Sequence, residues 1–145
     1  MEVFTNMTSY DAMKKISVKT AINEGGREGV SYTPNKSFEV KTSMTETPDT
    51  VTPELLFAAG FSACFNGAMS FPLEADGKGD LPRKLRAEVS LYNGVGTDFK
   101  LRVTLIGHIE GLSKDETLSY MKKGEQICPY SKATAGNIEV VLEAE

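Results

Sequence analysis

The chain has 145 residues, of which 40% are hydrophobic and 25% are charged, and 16 basic against 20 acidic residues give a net charge of −4. This length and composition are typical of one globular domain and exclude disordered, collagen-like and low-complexity proteins. No run of basic residues is long enough to indicate a nucleic-acid partner. Two cysteines and one histidine cannot fill a zinc site without carboxylates or a second chain, so no metal is expected.

Residues 1–12 show no hydrophobic period, and we predict a loose N-terminal arm on a single domain that spans residues 1–145. The first residues lack the apolar segment of a secretory signal, which favours a cytoplasmic location. In that reducing compartment, a pair of cysteines is more often reduced, catalytic or redox-sensing than joined in a structural disulfide.

Short strands and turns are predicted before the first helix. Apolar and polar residues alternate over residues 16–22, which predicts a half-buried strand. The glycines of residues 25–29 predict a turn with positive φ or a close approach of the backbone. Short strands are expected at residues 30–33 and 37–42, followed by a polar loop over residues 43–52.

Residues 55–73 carry no charge and approach the length of about 20 residues that spans a membrane. Small and polar residues interrupt the stretch and no basic cluster flanks it, so we predict a buried helix and no membrane partner. The helix should begin at Pro53, and Pro72 should limit its other end. Because apolar side chains point around most of the helix, a second subunit is expected to cover what one small domain leaves open.

The second half of the sequence predicts a hairpin, a helix and a final strand. After a loop at residues 74–82, strict alternation over 84–91 and 99–105 predicts two strands joined near Asn93-Gly94, with a bulge near Gly107. A capping box at Ser113 starts a helix that Pro129 should stop, and residues 138–142 form the last strand. The order βββ-α-ββ-α-β indicates an α+β fold with largely antiparallel sheets.

The residues best suited to chemistry are Cys64, inside the long helix, and Cys128, at a helix end. Two inert core thiols are the simplest alternative. A thiol is nucleophilic only as a thiolate, and a cation such as Arg27 in the glycine turn would lower its pKa. Glu54 could hold Arg27 through a bidentate pair. A solvated arginine and a carboxylate that only stabilises the helix N-terminus are the alternatives for these two residues.

Three segments resemble the OsmC/Ohr family, and specifically its organic hydroperoxide resistance branch. Residues 25–29 resemble the family's Gly-Gly-Arg-x-Gly turn. Residues 53–65 are similar to its Pro-Glu-x-Leu-Phe-Ala-Ala-Gly-Tyr-x-x-Cys-Phe helix, and residues 128–138 resemble its terminal Cys-Pro-Tyr-Ser motif. The chain departs from the pattern at Glu125, where the family usually has histidine, and at Ala135, where it usually has arginine.

The resemblance implies an OsmC-like fold with a long buried central helix, in an intertwined homodimer. It also implies a peroxidase for organic hydroperoxides with a role in oxidative-stress defence. Cys64 would attack the peroxide and become a sulfenic acid, and Cys128 would convert that acid into a disulfide. Arg27 would stabilise the thiolate and the leaving alkoxide, and Glu54 would orient Arg27. An apolar substrate pocket would be lined by Phe57, Phe61 and Phe65.

The resemblance further implies a dihydrolipoyl-type dithiol as the reductant and no bound cofactor. Two other functions stay open on the same fold. The chain could carry a small ligand or lipid, with the cysteines as core residues. It could also be a redox sensor that signals through its disulfide instead of turning over.

Overall fold

The structure is a computed structural model that describes residues 8–145, and these residues divide into two compact units, 8–56 and 57–145. The single domain predicted over residues 1–145 therefore stays a prediction. Of the N-terminal arm predicted over residues 1–12, residues 1–7 lie outside the described residues. Residues 8–12 are exposed and include one turn of 3₁₀ helix at Tyr10–Ala12. The elements are β1 (Ile22–Glu24), β2 (Val30–Tyr32), β3 (Glu39–Lys41), α1 (Pro53–Ala75), β4 (Arg83–Asn93), β5 (Phe99–Ile109), α2 (Lys114–Glu125), α3 (Pro129–Thr134) and β6 (Val140–Ala144).

The first unit contains an antiparallel sheet in the order β1-β2-β3. The second and third strands confirm the prediction, but the strand predicted over residues 16–22 is wrong except for Ile22. Within the described residues the segment before Ile22 pairs with no strand, and Ile16 is 91% exposed. An alternating pattern forms a strand only where a neighbour supplies the ladder hydrogen bonds. In this chain the neighbour β2 ends at Tyr32, which pairs with Ile22, so the residues before Ile22 have no partner in that strand.

The second unit contains a sheet in the order β4-β5-β6, in which β4 and β5 are antiparallel and β5 and β6 are parallel. The register of β4 and β5 is constant from Arg83↔Ile109 to Asn93↔Phe99, so the predicted bulge is wrong. Glycine is favoured at position 107 for a steric reason instead, because a Cβ there would lie 2.7 Å from the Met121 sulfur. The α+β class is confirmed.

The long helix α1 forms as predicted but runs through Pro72 to Ala75, so the following loop is shorter than expected. Pro72 lies close to the C-terminal end, where the one backbone hydrogen bond it removes affects little of the helix. One stripe of α1 is buried in the core of the second unit: Phe61, Phe65, Ala68, Met69 and Leu73. Phe71 stays 63% exposed. This chain therefore covers one face of the helix, and the expected oligomer remains a prediction.

By length and composition, α1 is also the one helix among residues 8–145 that could cross a membrane. Its buried stripe instead packs with residues of β5 and α2, among them Val103, Leu105, Ile109 and Met121. Each such large apolar side chain contributes about 1.5–3 kcal/mol when fully buried. This packing is typical of the core helix that the sequence predicts.

The C-terminal segment contains a helix that the sequence analysis missed. The predicted capping box is present, since the Ser113 hydroxyl accepts from the Glu116 N–H and the Glu116 carboxylate accepts from the Ser113 N–H. The helix α2 then ends at Glu125, and α3 begins at Pro129 with Cys128 as its N-cap residue. A proline that cannot continue one helix is well suited to the first position of the next.

Candidate active site

The structure brings the two cysteines together. The sulfur atoms of Cys64 and Cys128 lie 3.2 Å apart, within hydrogen-bonding distance for two thiols, although 64 positions separate the residues in the sequence. Both thiols are free. Cys128 is fully buried and Cys64 is half-buried, so Cys64 is the thiol that a reactant from solvent reaches more easily.

Backbone hydrogen bonds hold Cys128 in place. Its N–H donates to the carbonyl oxygen of Gly124 at 2.9 Å, and its own carbonyl oxygen accepts from the Lys132 N–H at 3.0 Å. Gly124 is packed against α1, because a Cβ at this position would lie 2.9 Å from Cγ of Met69. The end of α2 is thus seated on α1, and the start of α3 presents Cys128 to Cys64.

The surroundings of Cys64 favour the neutral thiol in this state. Burial raises the pKa of Cys64, and the neighbouring Cys128 thiol raises it further. The nearby backbone N–H of Tyr130 opposes both effects and lowers the pKa. These groups of the second unit therefore do not supply the lowered pKa that is typical of a reactive thiolate.

The first unit contains the predicted ion pair. Arg27 donates from Nη1 to Oε1 of Glu54 at 2.9 Å and from Nη2 to Oε2 at 3.0 Å, which is a bidentate arrangement. The hydrogen bonds from Arg27 hold the pKa of Glu54 below its usual range, and Glu54 raises the pKa of Arg27 in turn. With its side chain only 18% exposed, Glu54 fixes the direction of the guanidinium rather than standing free at the helix end.

The turn that carries Arg27 depends on glycine. Gly25 and Gly26 have φ values of 91° and 72°, which favour glycine. Gly29 has no room for a side chain, because a Cβ there would lie 2.1 Å from the carbonyl oxygen of Glu24. The Asn23 side chain closes the turn, since its carboxamide oxygen accepts from the Gly26 N–H at 2.9 Å and its NH₂ donates to the Gly26 carbonyl oxygen at 3.2 Å.

The predicted pocket residues divide between core and surface. Phe61 and Phe65 are fully buried in the core of the second unit, and Phe57 is half-buried. Phe57 and Phe61 surround the ring of Tyr130, whose centroid lies 6.2 Å from that of Phe57 and 5.7 Å from that of Phe61. Gly60 leaves space for this ring, because a Cβ there would lie 3.1 Å from the Tyr130 hydroxyl oxygen.

Comparison with known proteins identifies the family. Residues 46–143 match the family model described as OsmC-like protein. The chain belongs to the OsmC-like protein family. It is 38% identical over 126 residues to the organic hydroperoxide resistance protein OhrA of Bacillus subtilis strain 168, an alignment that covers 82% of this chain and 89% of that relative.

Solved structures of the OsmC-like family share the fold. The organic hydroperoxide resistance protein OsmC of Legionella pneumophila is similar with a TM-score of 0.81 and 35% identity, over 91% of this chain and 99% of that chain. OhrB of Bacillus subtilis is similar with a TM-score of 0.82 and 28% identity, over 90% of this chain and 100% of that chain. The family resemblance found in the sequence is thereby confirmed.

Two residues near the candidate groups of this OsmC-like chain were missed in the sequence. Asn23 directly precedes the glycine turn, and an asparagine before glycines is a signal for a side chain that closes a turn. Tyr130 stands inside the Cys-Pro-Tyr-Ser motif, but only the fold shows that it packs on α1.

Glu125, a departure from the family pattern, is half-buried, and burial raises its pKa while Lys122 lowers it.

The close approach at Gly29 predicts a large effect on stability. Gly29→Ala should lower the free energy of unfolding by about 3 kcal/mol, the upper end for overpacking, because the clashing atom is a backbone oxygen that no rotamer change can move. Gly26→Ala is the matched control in the same turn. A Cβ at position 26 meets no atom within 4 Å. This variant should therefore lose only about 1 kcal/mol of unfolding free energy, the cost of placing alanine in a left-handed conformation. Urea unfolding of both variants measures the difference, and equal losses would contradict the assigned clash.

The ion pair predicts a pH-dependent contribution to stability. The pKa of Glu54 is lowered in the folded state, so the unfolded state takes up the proton first as the pH falls. Its contribution is therefore present above about pH 4.5, the ordinary glutamate value, and is lost as the pH falls through the lowered pKa. Wild type should be more stable than Glu54→Gln in urea at pH 7, and the gap should narrow progressively as the pH falls below 4.5. A gap that does not change with pH would contradict the charged pair.

Proposed function

We propose that this chain is a cysteine-based peroxidase that reduces organic hydroperoxides to alcohols and serves in oxidative-stress defence. The observation that carries the proposal is the 3.2 Å separation of the two thiol sulfurs, one half-buried and one fully buried. The relatives named for organic hydroperoxide resistance support the substrate class. A carrier protein has no need for two cysteines at this distance.

The chemistry proceeds in two steps at the cysteine pair. The thiolate of Cys64 attacks the distal peroxide oxygen, the O–O bond breaks, and the leaving alkoxide takes a proton to become the alcohol. Cys64 is then a sulfenic acid. The sulfur of Cys128 attacks the sulfur of Cys64, hydroxide leaves as water after protonation, and a disulfide forms. The sulfurs need only close from 3.2 Å to a bond of about 2.05 Å.

A dithiol completes the proposed cycle. One thiolate of a dihydrolipoyl-type reductant attacks the disulfide and forms a mixed disulfide, and its second thiol displaces the protein sulfur. The reductant leaves as a cyclic disulfide, and both cysteines are thiols again. The two electrons that reduced the peroxide therefore come from the dithiol, and the cycle needs no metal or bound cofactor.

Arg27 and Glu54 supply the missing positive charge in this proposal. The guanidinium, oriented by Glu54, lowers the pKa of Cys64 and stabilises the alkoxide as it leaves. Of the three predicted pocket residues, the half-buried Phe57 would favour alkyl groups on the substrate, whereas Phe61, which packs against the Phe57 ring, and Phe65 are fully buried in the core. We further propose a homodimer, because the apolar surface of α1 that includes Phe71 is open in this chain. We also propose a cytoplasmic location for it.

Thiol titration tests the proposed reaction. One equivalent of cumene hydroperoxide should consume both thiols of each chain, and a dithiol should restore both. Unchanged thiols would contradict the peroxidase and favour the carrier function. Loss of both thiols without sustained turnover in the presence of a dithiol would instead favour the redox sensor.

A further inference from the structure

The turn that carries Arg27 is stabilised internally by one side chain, that of Asn23. Its carboxamide oxygen accepts from the Gly26 N–H at 2.9 Å, and its NH₂ donates to the Gly26 and Val30 carbonyl oxygens at 3.2 and 3.3 Å. The same NH₂ donates to the Ser31 hydroxyl at 3.1 Å. Because these bonds join both ends of the turn, the turn is held as one unit.

The segment that leads from β3 into α1 is stabilised by its own hydrogen bonds. The hydroxyl oxygens of Ser43 and Thr47 each lie 2.7 Å from that of Thr50. The Ser43 N–H donates to the Val51 carbonyl oxygen at 2.9 Å. The segment is therefore held together up to the first turn of α1, which contains Glu54.

Two hydrogen bonds join the turn to this segment. The Met44 N–H donates to the Glu28 carboxylate at 2.5 Å, and the Thr42 N–H donates to the Gly29 carbonyl oxygen at 2.9 Å. Glu28 directly follows Arg27, so its bond holds the backbone immediately beside the arginine. The Thr42 bond uses backbone atoms, whereas the Glu28 bond depends on a side chain and a substitution can remove it.

The charge and the hydrogen bond of Glu28 have opposite expected effects on the reaction. Its negative charge raises the pKa of Arg27 and weakens the positive potential that Arg27 offers a thiolate. Loss of the charge alone should therefore help the reaction slightly, since Glu28 is exposed and its charge is screened by water. Loss of the hydrogen bond should instead release the turn from the segment before α1.

We propose that Glu28 is a positioning residue, which keeps the Arg27 guanidinium in place for the oxidation of Cys64 through its bond to the Met44 N–H. This inference rests on the proposed function, because it assumes that Arg27 acts on Cys64. Glu54 fixes the direction of the guanidinium, and Glu28 fixes the backbone from which the arginine extends. A charge displaced from its working position stabilises the reacting groups less.

Two substitutions of Glu28 separate the hydrogen bond from the charge. Glu28→Ala removes both, whereas Glu28→Gln removes the charge and keeps an oxygen that accepts from the Met44 N–H. In stopped-flow mixing with tert-butyl hydroperoxide, Glu28→Ala should be oxidised about threefold to tenfold more slowly than wild type, the loss expected for one hydrogen bond. Its pH midpoint should move to higher pH. Glu28→Gln should restore the wild-type rate and midpoint.

Amide hydrogen exchange at Met44 reports on the bond without any peroxide, and it should become faster in Glu28→Ala but not in Glu28→Gln. Glu46→Ala is the matched control, because Glu46 is an exposed carboxylate of the same segment and takes part in none of the salt bridges among residues 8–145. It should change neither the exchange nor the rate.

Three results would overturn the role of Glu28 alone: a wild-type rate in Glu28→Ala, equal rates in Glu28→Ala and Glu28→Gln, or unchanged exchange at Met44 in Glu28→Ala. A wild-type protein whose Cys64 does not react with the peroxide would overturn the proposed function, and the positioning role would fall with it.

Discussion

Cys64→Ser is expected to abolish the reduction of organic hydroperoxides, with a loss of several orders of magnitude in the rate of the first step. A serine hydroxyl at this position has no accessible anion near neutral pH, whereas a thiol has a pKa of about 8.5 before its surroundings act on it. Stopped-flow mixing with tert-butyl hydroperoxide measures the step directly. The substitution changes a half-buried atom of similar size, so the fold should remain intact.

Cys128→Ser is the matched control for this prediction. It should keep the first oxidation near the wild-type rate and leave Cys64 as a sulfenic acid, which dimedone captures. Recycling by a dithiol should become slow, because the disulfide no longer forms. If Cys64→Ser still consumed peroxide, or if the two variants failed at the same step, the assigned roles of the cysteines would be wrong.

Arg27→Ala is expected to slow the oxidation of Cys64 by about 10²–10³-fold, as the loss of one group that stabilises a developing oxyanion does in other enzymes. Burial and Cys128 already raise the pKa of Cys64, so the thiolate population depends on the positive charge that Arg27 supplies in our proposal. The midpoint of the pH–rate profile should therefore move to higher pH in the variant. The rate at high pH should recover only in part, because the alkoxide still lacks its partner.

Two further variants separate charge from orientation. Arg27→Lys keeps the charge but loses the bidentate geometry with Glu54, so a rate between wild type and Arg27→Ala is expected. Glu54→Gln should also give an intermediate rate, since the guanidinium stays but is held less firmly. An unchanged pH midpoint in Arg27→Ala, with folding verified by circular dichroism, would show that Arg27 does not act on Cys64.

Local sequence signals predicted the elements that local interactions determine. The capping box at Ser113 and the hairpin between β4 and β5 follow from short-range backbone chemistry and were correct. The strand over residues 16–22 failed because alternation does not reveal whether a neighbour exists. The helix α3 was missed because Pro129 was interpreted only as a stop signal.

The roles of the four candidate site residues stay predictions, and only part of their geometry could be expected from the sequence. The bidentate pair of Arg27 and Glu54 was anticipated from the charges. That Cys64 and Cys128 meet was implied by the family resemblance alone, since no spacing rule joins positions so far apart. Tyr130 and Gly60 could not be linked, because their contact exists only after α3 has packed on α1.

The most direct test of the account is coupled turnover with dihydrolipoamide, comparing tert-butyl hydroperoxide with hydrogen peroxide in wild type and in Cys64→Ser. We expect sustained turnover that prefers the organic peroxide and disappears in the variant. Absence of turnover in wild type, with both thiols unreactive toward either peroxide, would contradict the peroxidase and leave an OsmC-like fold with a different function.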